Sequence, residues 1–107
     1  MMSEGARGFT LAPQPLVSEP VWATIVTGRS AGAHGVFGFI RRDESGVPRA
    51  VSGRDLAVPP IWRLVEAAGL SVGTFNVSFT DPPASGFIVS RDALPKIHPG
   101  LVHPAEL

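Results

Sequence analysis

The fold class is decided by the stretch PPIWRLVEAAGLSVGTFNV, which occupies residues 59–77. The first part begins with proline and has glycine at position 69, and its apolar residues are spaced by three and four. These residues are Ile61, Leu64, Val65 and Ala68. The spacing predicts a helix. Residues 70–77 alternate apolar with small or polar residues, which predicts a strand. A helix followed at once by a strand indicates an α/β fold.

A second helix is predicted over residues 18–28, SEPVWATIVTG. Serine and glutamate stand ahead of a proline that suits the first turn of a helix, and Gly28 suits the left-handed position that follows one. The β-branched residues in between would suit a strand equally well. The helix is therefore inferred from its ends. Residues 86–90 are predicted to form either a short strand or an apolar loop.

The rest of the chain is expected to be mostly turn and loop. Its 107 residues allow one domain, and twelve glycines and eleven prolines exclude a compact helical bundle. Residues 1–17 are predicted as a loop, and residues 29–59 as an excursion with little regular structure. Residues 98–107 are rich in proline and lack a capping element.

Charge and composition exclude several classes of function. Nine basic and nine acidic residues balance, and the basic residues form no stripe, which argues against a nucleic-acid or anionic-membrane surface. The absence of cysteine excludes a disulfide scaffold, a thiolate zinc site and cysteine catalysis. No segment has the length of a membrane span or the layout of a signal peptide, so the compartment is left open, with a cytoplasmic location as the default.

Two sets of residues are candidates for chemistry. Ser18 lies at the expected helix start, where backbone N–H groups and the macrodipole stabilise an anion or a deprotonated oxygen, although a serine there often serves only as a cap. His34, His98 and His103 are potential zinc ligands, or else polar surface residues. Asp81, which precedes two prolines, is interpreted as a turn former.

An ordered set of segments resembles a known family. Residues 18–29 followed by 33–39 resemble the nucleophile segment of the type I phosphodiesterase and nucleotide pyrophosphatase family, within the alkaline phosphatase superfamily. The family pattern has Thr or Ser two residues before a proline, a helix ending in Thr-Gly, and then His-Gly. The downstream segments occur in the same order as in the family: 59–62, 68–69, 72–77, 81–83, 86–90 and 103–107.

The resemblance implies a fold, a reaction and a site. The fold would be part of an alkaline-phosphatase-like three-layer α/β/α domain. Two divalent ions, usually zinc, flank the phosphoryl group of a phosphate ester or diester in such enzymes. Ser18 matches the nucleophile that contacts these metals and forms a covalent phospho-enzyme, and the backbone at Glu19 would receive phosphoryl oxygens.

The chain departs from the family pattern in two respects, its missing metal ligands and Phe39. The family's metal-binding aspartates and histidines fall upstream and downstream of the matched segments. Residues 1–107 are therefore expected to form a single partial domain, inactive alone, whose partner would be the remaining segment of the enzyme or a second copy. Phe39 stands where the nucleotide pyrophosphatase branch has an asparagine. His34 matches a position that is generally not a metal ligand.

Two other functions are considered beside a phosphohydrolase. The chain could be a non-catalytic interaction or phosphate-binding module derived from that fold. It could also be a small metal-binding domain that uses His34, His98 and His103.

Overall fold

The computed structural model describes residues 3–83, 86–90 and 102–103. Helix α1 (Ser18–Thr27) and the short helix α2 (Ala31–His34) are followed by strands β1 (Ile40–Arg42) and β2 (Pro48–Ala50). A 3₁₀ turn, η1 (Gly53–Asp55), leads to helix α3 (Ile61–Ala67). Strands β3 (Val72–Val77), β4 (Gly86–Ser90) and β5 (Val102–His103) complete the described elements.

Both predicted helices and the predicted strand are present, so the mixed α/β fold is confirmed. Helix α1 ends where Gly28 adopts a left-handed conformation with φ of 64°, as its position at the helix end predicts. Residues 86–90, for which a strand and a loop were both considered, form β4. The described residues ahead of α1 form turns and irregular structure, as expected of a loop.

The five strands belong to two small sheets. Strands β1 and β2 pair in antiparallel fashion and form a hairpin. In the other sheet, β4 lies between β3, to which it is parallel, and β5, to which it is antiparallel. In the part of the chain that the structure describes, β3 pairs only with β4, so its other edge carries no strand.

The hairpin corrects the prediction of little regular structure over residues 29–59. Its turn is held by Asp43, whose Oδ1 accepts hydrogen bonds from the backbone N–H groups of Ser45 and Val47 at 2.9 Å. Gly46 supplies a positive φ of 79°. These local bonds stabilise the turn without any apolar periodicity in the strands, which is why the apolar pattern does not indicate it. All six strand residues are exposed.

The core lies between α1, α3 and the three-stranded sheet. Its buried residues are Ala23, Val26, Val36, Trp62, Phe79 and Ile88. In α3 the buried residue is Trp62, which is 3% exposed, whereas Ile61 and Leu64 are 60% and 56% exposed. The apolar spacing therefore predicts the helix correctly, but three of the four residues in that series, Ile61, Leu64 and Ala68, are exposed, because the large indole of Trp62 occupies the contact with the core.

A close backbone contact joins η1 to the segment after β3. A Cβ atom on Gly53 would collide with the carbonyl oxygens of Phe79 and Asp81. The same two segments are linked by the Arg54–Asp81 ion pair, with Nε and Oδ2 3.1 Å apart. Arg63 of α3 donates to the carbonyls of Pro82 and Pro83. The Asp-Pro-Pro segment, for which a turn is predicted, has a bend at Pro82 and is held from two sides.

Candidate active site at the start of helix α1

Ser18 is the first residue of α1 and its side chain is exposed. Val17 takes the capping position in an extended conformation, and no side chain caps the helix, so the simple capping role considered for Ser18 is not found. The first hydrogen bond of the helix runs from the N–H of Val21 to the carbonyl of Val17, at 3.1 Å. The backbone N–H groups of Ser18 and Glu19 precede that bond, where the helix dipole favours negative charge.

An open cavity of about 310 Å³ adjoins Ser18. Its other lining residues are Leu16, Val17, Val21 and Trp22, all apolar. Val21 and Trp22 follow Ser18 by three and four residues, so they lie on the same side of the helix as the hydroxyl. Trp22 also packs against the core cluster. The sequence predicts Ser18 and Glu19 at a helix start. Its apolar pattern does not show whether the apolar residues around them line a cavity or belong to the core.

His34 is completely buried and connects α2 to α1. Its Nε2 lies 3.1 Å from Oγ1 of Thr24, and its Nδ1 accepts a hydrogen bond from the backbone N–H of Val36 at 3.1 Å. Because Nδ1 is an acceptor, we assign the neutral tautomer with hydrogen on Nε2, which then donates to Thr24. Both ring nitrogens are therefore engaged within the fold.

Burial lowers the pKa of His34 below its ordinary value of 6.5, and a hydrogen bond with the Pro20 backbone opposes this in part. Protonation would also place a hydrogen on Nδ1, facing the N–H of Val36. His34 is thus an uncharged side chain that connects α2 to α1 through its hydrogen bond with Thr24. The sequence pattern indicates either a metal role or a surface position for His34, and the surface position is wrong, since His34 is completely buried against α1.

The described residues contain no group of three or more histidine, cysteine, aspartate or glutamate side chains that could hold a metal ion. His98 lies outside the described residues, and for His103 only the backbone, in β5, is described. The described residues therefore do not fit a two-metal centre. His34 would have to give up one of its hydrogen bonds to serve as a ligand.

A second, larger cleft of about 800 Å³ lies between the hairpin and η1. At its edge Asp55 has a side chain only 4% exposed and accepts two hydrogen bonds from Arg49, at 2.8 and 2.7 Å. The backbone N–H of Ser52 donates to the same carboxylate. The hydrogen bond from Arg49 lowers the pKa of Asp55. The Arg49–Asp55 pair was not predicted from the sequence, although Ser52 and Asp55 have the spacing of a capping box.

Phe39 precedes β1, and its carbonyl accepts a hydrogen bond from the N–H of Val51 at 2.9 Å. Its ring is exposed.

No helix in the described part of the chain is both long and apolar enough to cross a membrane.

The fold and this site together define an α/β protein with an exposed hydroxyl at the start of a helix. The family model for type I phosphodiesterase / nucleotide pyrophosphatase matches residues 1–105, and the chain belongs to this family. The family acts on phosphate esters, falls within the alkaline phosphatase superfamily and is generally metal-dependent. No curated protein and no solved structure matches the chain.

Proposed function

We propose that this chain carries the nucleophile of a phosphodiesterase, and that the nucleophile is Ser18. In the proposed reaction Ser18 Oγ loses its proton and forms a bond to phosphorus, the bond from phosphorus to the ester oxygen breaks, and the leaving oxygen takes up a proton to give the free alcohol. Water then cleaves the phosphoserine. The observation that carries the proposal is the exposed Ser18 side chain at the first position of a ten-residue helix in a member of this family.

The backbone at Ser18 and Glu19 would bind the phosphoryl oxygens. Both N–H groups lie in the first turn of α1, and Pro20 has no N–H group. Amides in this position bind anions because their dipoles align along the helix axis. Two zinc ions would activate the serine in the complete enzyme, and since the described residues do not fit such a centre, we propose that another segment supplies the ligands.

The chain would then be one part of a larger phosphodiesterase domain, with weak phosphate binding and negligible turnover on its own. NMR titration with inorganic phosphate should shift the amide resonances of Ser18 and Glu19. Hydrolysis of a nitrophenyl phosphodiester in the presence of zinc should stay at background. Robust hydrolysis that Ser18→Ala abolishes would disprove the inactivity, and unshifted amides at Ser18 and Glu19 would disprove the phosphoryl site.

Ser18→Ala also tests the second candidate function, a non-catalytic interaction module. The observation that favours a module is the exposed apolar side of α3, formed by Ile61 and Leu64. If the chain is a non-catalytic module, Ser18→Ala should leave every ligand affinity unchanged. If Ser18 is the nucleophile, the same substitution should weaken phosphate binding. Ser45→Ala, at an exposed serine of the hairpin turn, is the matched control. Because no side chain caps α1, we expect Ser18→Ala to change stability by less than about 0.5 kcal/mol.

A further inference from the structure

We propose that the cavity beside Ser18 binds an uncharged aryl or alkyl group, joined by an ester bond to the phosphoryl group that Ser18 attacks. This inference rests on the proposed function, because it takes Ser18 as the nucleophile. The cavity is lined by Leu16, Val17, Val21 and Trp22 together with Ser18. The preferred substrate class is therefore a phosphate ester of an apolar alcohol.

The spacing along α1 places the apolar wall next to the reacting oxygen. Val21 and Trp22 follow Ser18 by three and four residues, which brings all three to one side of the helix. Side chains on a helix also tilt toward its N-terminus, so the indole of Trp22 extends toward the turn that carries Ser18. The aryl or alkyl group of the phosphate ester would therefore contact these apolar side chains directly.

Trp22 offers a surface that is already fixed before the ligand binds. It packs against the buried cluster that includes Ala23 and Val26, and it lines the cavity as well. The ring therefore loses little further freedom when a ligand covers it, and preorganisation of this kind favours binding.

The composition of the wall selects against charged groups. Among the described residues that line the cavity, none is charged and Ser18 is the single polar side chain. A charged group placed there would lose water and find no charged partner, which is unfavourable. The volume of about 310 Å³ is at the lower end of small-molecule sites, which suits one aromatic ring or a short alkyl chain.

The test compares two anions of equal charge, phenylphosphonate and methylphosphonate, by NMR titration of the chain. Phenylphosphonate should bind about tenfold more tightly, as expected when roughly half of a phenyl ring leaves water. It should shift the indole N–H of Trp22 together with the amides of Ser18 and Glu19. Methylphosphonate should shift only the amides.

Two variants distinguish a loss of the apolar cavity wall from a general loss of folding. Leu16→Ala removes part of the wall at a residue that is 64% exposed and lies outside α1, so the chain should still fold. It should reduce the preference for phenylphosphonate about threefold, in proportion to the apolar area lost. Leu70→Ala, at a residue 63% exposed and absent from the cavity lining, is the matched control and should not alter the preference.

The outcomes distinguish this inference from the proposed function. Equal affinity for both phosphonates, with shifted amides at Ser18 and Glu19, would overturn the apolar cavity and leave the phosphoryl site standing. Shifts at Trp22 alone would support the cavity and overturn the phosphoryl site. An absence of shifts with either compound would overturn both. An unchanged preference in Leu16→Ala would also overturn the cavity.

Discussion

The neutral state of His34 makes the stability of the fold depend on pH in a defined window. Burial lowers the pKa of His34 from 6.5 in the folded chain. As the pH falls through 6.5, the unfolded chain takes up a proton on this ring before the folded chain does. The free energy of unfolding must therefore decrease as the pH falls from about 7.5 toward the folded pKa.

The size of the effect is bounded by one proton. A single histidine that is protonated only in the unfolded state changes the free energy of unfolding by at most about 1.4 kcal/mol for each pH unit. The dependence ends at the folded pKa, below which both states carry the proton. Asp55 contributes in a separate, more acidic window, because its pKa is lowered from 3.8 and its contribution is lost only as the pH falls below that value.

The assay is urea unfolding of the chain and of His34→Asn at several pH values between 7.5 and 5. The carboxamide oxygen of asparagine can accept the hydrogen bond from Val36, but the side chain does not titrate. His98 and His103 are present in both proteins, so the difference between the two pH profiles isolates His34. The parent chain should lose stability with falling pH, and the variant should lose less. Parallel profiles would refute the assignment of a buried neutral imidazole.

Two further substitutions test contacts that hold the fold. Gly53→Ala should destabilise the chain by about 1–3 kcal/mol in thermal unfolding, because its Cβ would collide with the Phe79 and Asp81 carbonyls. Gly32→Ala, where a Cβ meets nothing within 4 Å, is the matched control, and an equal loss in both would contradict the close contact. Asp55→Asn should cost about 1–3 kcal/mol in urea unfolding, because it weakens the bonds from Arg49 and Ser52 to a buried carboxylate. Asp43→Asn, whose side-chain oxygen can still accept the turn bonds, should have a smaller effect, and the reverse order would refute the assignment.

Local signals were sufficient to predict α1, α3 and β3, whereas the short helix α2 falls in a segment for which little regular structure was predicted. Helix α1 is marked by Pro20 near its start and Gly28 after its end, and both act through backbone geometry that needs no distant partner. In the same way, Ser18 could be placed at a helix start from its position in the sequence alone. The position of Trp22 in the wall of the cavity beside Ser18 could not be predicted in this way, because it depends on which side of α1 meets the core.

Long-range contacts determine which side of α3 is buried and whether His34 is buried, and the sequence pattern does not record these contacts. The apolar series in α3 does not reveal that Trp62 is buried while Ile61 and Leu64 are exposed, since the sheet and α1 determine the buried side. The burial of His34 likewise depends on Thr24, ten residues earlier in the chain. Neither contact has a periodic signature that a pattern could detect.

The exposed hairpin suggests where this chain tolerates added sequence. Its strands contribute nothing to the buried core cluster, and its turn is closed by bonds within residues 43–47. An affinity tag or a fluorescent label attached at Ser45, whose side chain makes no described hydrogen bond, would project into solvent. Such a chain could be immobilised through the hairpin while the start of α1 stays accessible.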